Sequence, residues 1–286
     1  MKKENIQISE YSVKAPFNLR AAVVSDFHNG DPGKVLAIFE KGKKPDLILI
    51  PGDVILGYLP EKGSLVIETS ANVLPLLKGC ANIAPTYMSL GNHECLLASE
   101  DTDLIRSTGV ILLDNEWTEY GSGDTKLLIG GLTSTHVLSY NKFRDEYNKE
   151  RLFRNEETLL YPERRRPKGL SKVRTESSWL DGFEAAEGYK ILLSHHPEFW
   201  SMREPMLKDR RIDLVLSGHA HGGQWRIFGH GIFAPGQGLF PKYTEGIHCG
   251  PYGQLIVSRG LSNPYRKIPR LGNPCEVVLI ELGQSS

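Results

Sequence analysis

The stretch that decides the fold is Ala21-Ala22-Val23-Val24-Ser25-Asp26-Phe27-His28, an apolar run that breaks abruptly into acid and imidazole. The same form recurs in Leu47-Ile48-Leu49-Ile50-Pro51-Gly52-Asp53 and in Thr86-Tyr87-Met88-Ser89-Leu90-Gly91-Asn92-His93-Glu94. Further along, Ile191-Leu192-Leu193 leads to His195-His196, and Leu214-Val215-Leu216 leads to Gly218-His219-Ala220-His221. Runs this short and this apolar suit strands buried on both faces, as in a sheet covered by helices. Val110 to Leu113, Leu127 to Ile129, Gln254 to Val257 and Glu276 to Ile280 read the same way. Between them lie helical patterns. Val35, Ile38 and Phe39 share one face ahead of a stop at Gly42, and Ser99 to Ser107 carries acid early, Arg106 late and Gly109 just beyond. Strand and helix alternating through residues 20–115 predict an α/β fold.

Working outward, the chain has 286 residues, room for one large domain or two small ones at about 150 residues each. Hydrophobic residues are 40% and charged residues 24%, which is globular composition. Residues 133–178 differ, being dense in charge, with Arg164-Arg165-Arg166 before Pro167 and no strand-like run. They are expected to form an insertion over a single domain spanning 1–286, and the arginine run a solvated face. Lys plus Arg and Asp plus Glu both number 34; without a basic excess, no nucleic-acid partner is expected. No apolar leader follows Met1-Lys2-Lys3-Glu4-Asn5, and the most apolar stretch, Leu47 to Leu59, is broken by Pro51 and Gly52. A transmembrane segment is not expected, although peripheral membrane contact stays open. Four cysteines without CxxC spacing suit reduced thiols, and so a cytoplasmic location.

The chemistry sits at the strand ends. In a mostly parallel sheet these positions meet at the carboxyl edge, where ligand sites form. Five of the nine histidines (His28, His93, His195, His219, His221) fall just past an apolar run, together with Asp26, Asp53 and Asn92. Any one of them alone is a weak signal, since a single His near a strand end is more often a satisfied core or surface residue. Gathering this many imidazoles and carboxylates without a cation would be costly. Oxygen and imidazole donors with no thiolate suit Mn, Fe or Zn.

Asp26-x-His28, Gly52-Asp53, Gly91-Asn92-His93-Glu94, His195 and Gly218-His219-x-His221 resemble, in order, the signature of calcineurin-like metallophosphoesterases. Gly222-Gly223-Gln224-Trp225, Ala234 to Tyr243 and Val257-Ser258-Arg259-Gly260-Leu261 extend the likeness to the bacterial YkuE- and YaeI-like phosphohydrolase branch. The resemblance implies a sandwich of two mixed β-sheets flanked by helices, four layers in all. It implies two divalent metal ions, Mn first and Fe or Zn as alternatives. One is held by Asp26, His28, Asp53 and His221, the other by Asp53, Asn92, His195 and His219, so that Asp53 bridges. It implies hydrolysis of a phosphate ester by a hydroxide shared between the metals, with His93 off the metals as general acid and Asn92 touching the substrate phosphate. A phosphodiester or pyrophosphate-type bond in a small-molecule or lipid-linked substrate is favoured. A catalytically silent metal-binding scaffold and a nuclease of the same superfamily are the rival readings.

Two departures stand out. Leu56 occupies the position, three residues past the bridging Asp, where the family often has a carboxylate. The envelope signals of several relatives are not seen, so their location is not carried over. His195 is preferred to His196 as ligand, because neighbouring strand residues face opposite ways and Pro197 fits the motif. His136, His230 and His248 read as surface residues, and Cys95 as a buried, inert thiol. Arg259 fits two readings, a phosphate contact or a structural partner for a loop carboxylate. Glu94 either orients His93 or binds elsewhere.

Overall fold

The computed structural model describes residues 6–42, 44–57, 60–61, 64–121, 126–134, 175–202, 205–235, 237–263 and 268–284. Most of the expected insertion at 133–178, with His136 and Arg164 to Arg166, lies outside these residues. The elements run β1 (Gln7–Lys14), β2 (Leu19–Val23), α1 (Pro32–Lys41), β3 (Leu47–Ile50), α2 (Val73–Ile83), β4 (Thr86–Ser89), α3 (Ser99–Ser107), β5 (Ile111–Leu113), β6 (Glu116–Tyr120) and β7 (Leu127–Leu132). After these come α4 (Leu180–Ala185), β8 (Tyr189–Ser194) and β9 (Leu214–Ser217), then four two-residue strands, β10 (Arg226–Ile227), β11 (His230–Gly231), β12 (Phe233–Ala234) and β13 (Gly238–Leu239). The chain closes with β14 (Gly246–Cys249), β15 (Gln254–Val257) and β16 (Glu276–Gly283).

Two six-stranded sheets result, in the orders β1-β16-β2-β3-β4-β5 and β14-β15-β9-β8-β7-β6. In the first, β2 to β5 are parallel and β16 returns antiparallel to β2. In the second, β15, β9, β8 and β7 are parallel between antiparallel edges β14 and β6. The two-residue side-chain period sorts each strand between two cores. Ala21, Val23, Leu47 and Leu49 face Ile129, Ile191, Leu193, Leu214 and Leu216 between the sheets. Their neighbours Ala22, Val24, Ile48 and Ile50 pack instead on Val35, Phe39, Leu76 and Leu77 of the helices. Leu192, Val215 and Leu255 pack outward on Leu180, Phe183 and Trp200. Helix, sheet, sheet and outer cover make the expected four layers, although the last is thin, with α4 as its one α-helix among the described residues.

Local chemistry explains the ends. Asp31 caps α1 by accepting from the Gly33 amide, Pro32 supplies the first turn, and Gly42 ends the helix where it was expected. In α3 the buried Asp101 carboxylate accepts from Ala98 N at 2.8 Å and from Ile67 N at 2.9 Å, tying the helix to the loop before α2. Pro75 sits in the first turn of α2, where no amide partner is lost. Of the strands in the two large sheets, those that the apolar pattern did not single out, β1, β6 and β14, are sheet edges with one wet face, so they lack a continuous apolar run.

Leu193→Ala removes a fully buried side chain from the layer between the sheets and should cost about 2–5 kcal/mol. Ile8→Ala, at a position 48% exposed, should stay within about 0.5 kcal/mol of the parent. Urea unfolding of both variants measures this, and equal midpoints would contradict the layer assignment.

Candidate metal centre

The parallel strands β2, β3 and β4 of one sheet and β8 and β9 of the other end at the same edge, and the polar residues follow directly. Asp26 and His28 come after β2, Asp53 after β3, Asn92 and His93 after β4, His195 after β8, and His219 and His221 after β9. The chain turns sharply there. Asp26, His28, Asp53, His219 and His221 all have left-handed backbone, with φ between 41° and 63°. Each such residue costs about 1–3 kcal/mol and persists only where the surroundings fix it. Two motif glycines allow the close approach. A Cβ on Gly218 would lie 2.2 Å from Asp26 Oδ2, and one on Gly91 would lie 2.3 Å from Asp53 Oδ1.

Two buried carboxylates form the centre. Asp53 Oδ2 lies 3.0 Å from His195 Nε2 and 3.8 Å from both His28 Nε2 and His93 Nε2. Asp26 Oδ1 lies 3.6 Å from His221 Nε2, 3.8 Å from His195 Nε2 and 3.9 Å from His28 Nε2. Three groups have donor atoms mutually within 4.8 Å: Asp26, His28 and His221; Asp53, His195 and His219; and His28, Asp53 and His93. The structure thus brings all the sequence-predicted ligating Asp and His residues to one edge, with His93 beside them.

The carboxylates are fixed by amides. Glu94, fully buried, accepts through Oε2 from Asp53 N (2.7 Å) and Gly91 N (2.8 Å), and through Oε1 from Val54 N (2.8 Å) and Ile55 N (3.2 Å). It therefore organises the turn that carries Asp53, not the His93 ring. Asp53 Oδ1 accepts from His93 N at 2.9 Å, which leaves Oδ2 to the imidazoles. Asp26 takes Ser25 Oγ–H at 2.7 Å and His219 N–H at 3.1 Å. The rings are aimed by carbonyls, His28 Nδ1 by Ile55 O at 3.1 Å and His93 Nδ1 by Leu56 O at 2.8 Å. Leu56 thus supplies a backbone oxygen that orients the His93 ring.

Electrostatics divide the imidazoles. Burial holds His28 down to about 3, helped by the neighbouring His93, and burial with His28 and Arg270 holds His221 well below its usual value. Burial also opposes a charge on His195, but Asp53, Asp26 and Glu94 lift it to about 9. Burial works against ionised Asp53 too, yet His195, His93 and His28 carry it well below the carboxylate range, while burial raises Asp26. His28 Nε2 and Asn92 Oδ1 are buried with no hydrogen-bond partner. Orphaned lone pairs facing ionised oxygen are the donor set a hard or borderline divalent cation needs.

The family model of calcineurin-like phosphoesterases matches residues 19–223. The chain belongs to the calcineurin-like phosphoesterase family. It is therefore a metal-dependent hydrolase of phosphoric ester bonds. Phosphodiesterase YaeI of Escherichia coli K12 is 25% identical over 84% of this chain and 71% of that protein. An uncharacterized metallophosphoesterase of Aquifex aeolicus VF5 is 27% identical over 87% of this chain and 76% of that protein. Both relatives bear out the YaeI-like branch. Among solved structures, a phosphopantetheinyl hydrolase from Mycobacterium tuberculosis matches 86% of this chain and 92% of its own at a TM-score of 0.49 and 14% identity.

The remaining residues of the phosphoesterase fall as follows. His196 packs edge-on against His219 and at a tilt against Phe199, with ring centroids 4.2 Å and 5.5 Å apart. Arg259 is structural, with Nη2 2.7 Å from Glu276 Oε2 and Nη1 3.4 Å from Glu245 Oε2. His230 is exposed as expected, whereas His248 is half-buried and stacks edge-on against Tyr243. Cys95 is half-buried rather than buried. Sequence reading missed the back wall of the site. Asn273 Nδ2 donates to His221 O at 2.7 Å, Ser262 Oγ donates to Asp26 O at 3.0 Å, and Arg270 Nη2 lies 3.2 Å from His221 Nδ1. These residues lie 49 or more positions from their partners, and the return of β16 alongside β2 brings them in.

A metal held by His195 would displace the proton of that ring, whereas His28 and His221 are already neutral. Loading metal-free protein near neutral pH should therefore release about one proton from this ring, falling toward none above pH ~10. Calorimetry in buffers of different ionisation enthalpy counts it; proton release that does not change with pH would contradict the assignment.

Proposed function

We propose that the phosphoesterase cleaves a phosphodiester or pyrophosphate-type bond with two divalent cations, manganese before iron or zinc. Asp26, His28, Asp53 and His221 hold one; Asp53, Asn92, His195 and His219 hold the other. The observation that carries this is two three-residue groups, Asp26 with His28 and His221 and Asp53 with His195 and His219, linked by His28, whose Nε2 lies 3.8 Å from Asp53 Oδ2, the oxygen left to the imidazoles because Oδ1 is taken by the His93 amide. Bound cations would supply positive charge for the phosphate oxygens and lower the pKa of water toward neutrality.

The protein's own groups do the rest. Asn92 can ligate through Oδ1 and keep its NH₂ for a phosphate oxygen. His93 is the general acid, since Leu56 O fixes its ring with Nε2 toward Asp53 and its side chain is 30% exposed, so its proton can be replaced from solvent. The name of the Escherichia coli relative supports a diester. The four free cysteines support a cytoplasmic site of action.

His93→Ala should retain both metals and lose about 10²- to 10⁴-fold in turnover of alkyl esters, with a much smaller loss for p-nitrophenyl esters, whose leaving group needs no proton. Asp53→Ala should lose metals and both activities. Metal analysis with turnover on both ester classes tests this. Equal losses on the two classes in fully metallated His93→Ala would reject the acid role, and metal loss in that variant would make His93 a ligand.

A further inference from the structure

Just beyond the ligand His221 the chain forms two short ribbons, β10 with β11 and β12 with β13. Ile232 ties them together, donating to Trp225 O at 2.8 Å and accepting from Phe240 N at 2.9 Å. Trp225 bridges to Leu271 and donates its indole N–H to Pro269 O at 2.9 Å, next to the Arg270 that reaches His221. The ribbons and the ligand loop therefore form one rim of the site.

That rim presents apolar side chains to water. Phe228 is 97% exposed, Phe240 77%, Leu239 70%, Ile227 56% and Leu271 55%. Ile227 pairs with His230, so Phe228-Gly229 is the two-residue turn between β10 and β11. Its φ values are +50° and +80°, which is the type I′ pattern, where Asn-Gly is the favoured pair. Phe240, also exposed, has φ +52°. A phenylalanine in left-handed backbone with its ring in water costs the fold twice, in strain and in hydration. Neither position gains packing in return.

Charge indicates what covers this rim. Among the described residues from 214 to 276 the acids are Glu245 and Glu276, against Arg226, Lys242, Arg259 and Arg270. Arg226 pairs with Glu245, and Arg259 with Glu245 and Glu276, but the stretch stays net basic inside a chain whose total charge is zero, with Lys242 exposed two residues past Phe240. Exposed aromatic tips on a basic segment complement the interface of an anionic bilayer, where rings enter the acyl boundary and cations meet headgroups. We infer that this rim docks the phosphoesterase on an anionic lipid bilayer through Phe228, Leu239 and Phe240, bringing the metal centre to phosphate esters of the headgroup layer. The substrate class rests on the function proposed above; the docking is measured without turnover.

The test is co-sedimentation of the metal-loaded protein with vesicles of phosphatidylglycerol in phosphatidylcholine, and of phosphatidylcholine alone. Binding is expected to the anionic vesicles, weakened by salt. It should fall about 10²-fold or more in the triple variant Phe228→Ser, Leu239→Ser, Phe240→Ser. Hydrolysis of water-soluble bis(p-nitrophenyl) phosphate should be unchanged in that variant, which also shows that it is folded. No binding by the parent protein, or equal binding by the triple variant, would overturn the inference. So would a dimer in analytical ultracentrifugation that the triple variant abolishes while vesicles go unbound, since the rim would then be a contact between copies. Vesicle binding by a protein inactive on the soluble diester would uphold the docking and count against the proposed function instead.

Discussion

The Glu94 carboxylate holds four backbone amides, three from the turn at Asp53 to Ile55 and one from Gly91. The rest of the site depends on it. That turn carries the left-handed Asp53, and the carbonyls of Ile55 and Leu56 within it or just past it aim His28 and His93. Burial beside Asp53 raises the pKa of Glu94, and the amides pull the other way. A carboxylate that satisfies four otherwise orphaned donors is worth its desolvation, and removing it would leave those donors buried and unpaired.

The two-sheet frame and this clamp solve different parts of one problem. Parallel strands bring five chain segments to a common edge, but strand geometry alone would send neighbouring residues to opposite faces. Left-handed backbone at Asp26, His28, Asp53, His219 and His221 redirects them toward one point. The apolar layer between the sheets keeps the two halves of the donor set in register, since β2 and β3 come from one sheet and β8 and β9 from the other. Two carboxylates among several buried imidazoles then push protons apart, holding Asp53 ionised and His195 charged.

Much of this was legible in the sequence. Runs such as Leu47 to Ile50 are buried on both faces, so their composition alone marks them as strands. The candidate ligands were legible because each follows such a run, and the structure gathers the Asp and His residues among them. Edge strand β1 alternates exposed and half-buried residues and carries no such mark. Glu94 was visible as a residue, but its partners are amides, which no side-chain pattern encodes. Arg259 fitted two readings because its choice rests on Glu276, 17 positions away, reached only through the sheet pairing of β16. His248 read as a surface residue because its stacking partner Tyr243 lies in a loop without periodic pattern. The exposed Phe228 and Phe240 look like ordinary core candidates by composition, and only their backbone angles and exposure set them apart.

The central claim is that Asp53 stands between two cations. Anomalous diffraction from crystals grown with manganese tests it most directly. The account predicts two peaks about 3.5–4 Å apart, both in contact with the Asp53 carboxylate and neither with His93. One peak, or a peak ligated by His93 in place of His28 or His195, would contradict it.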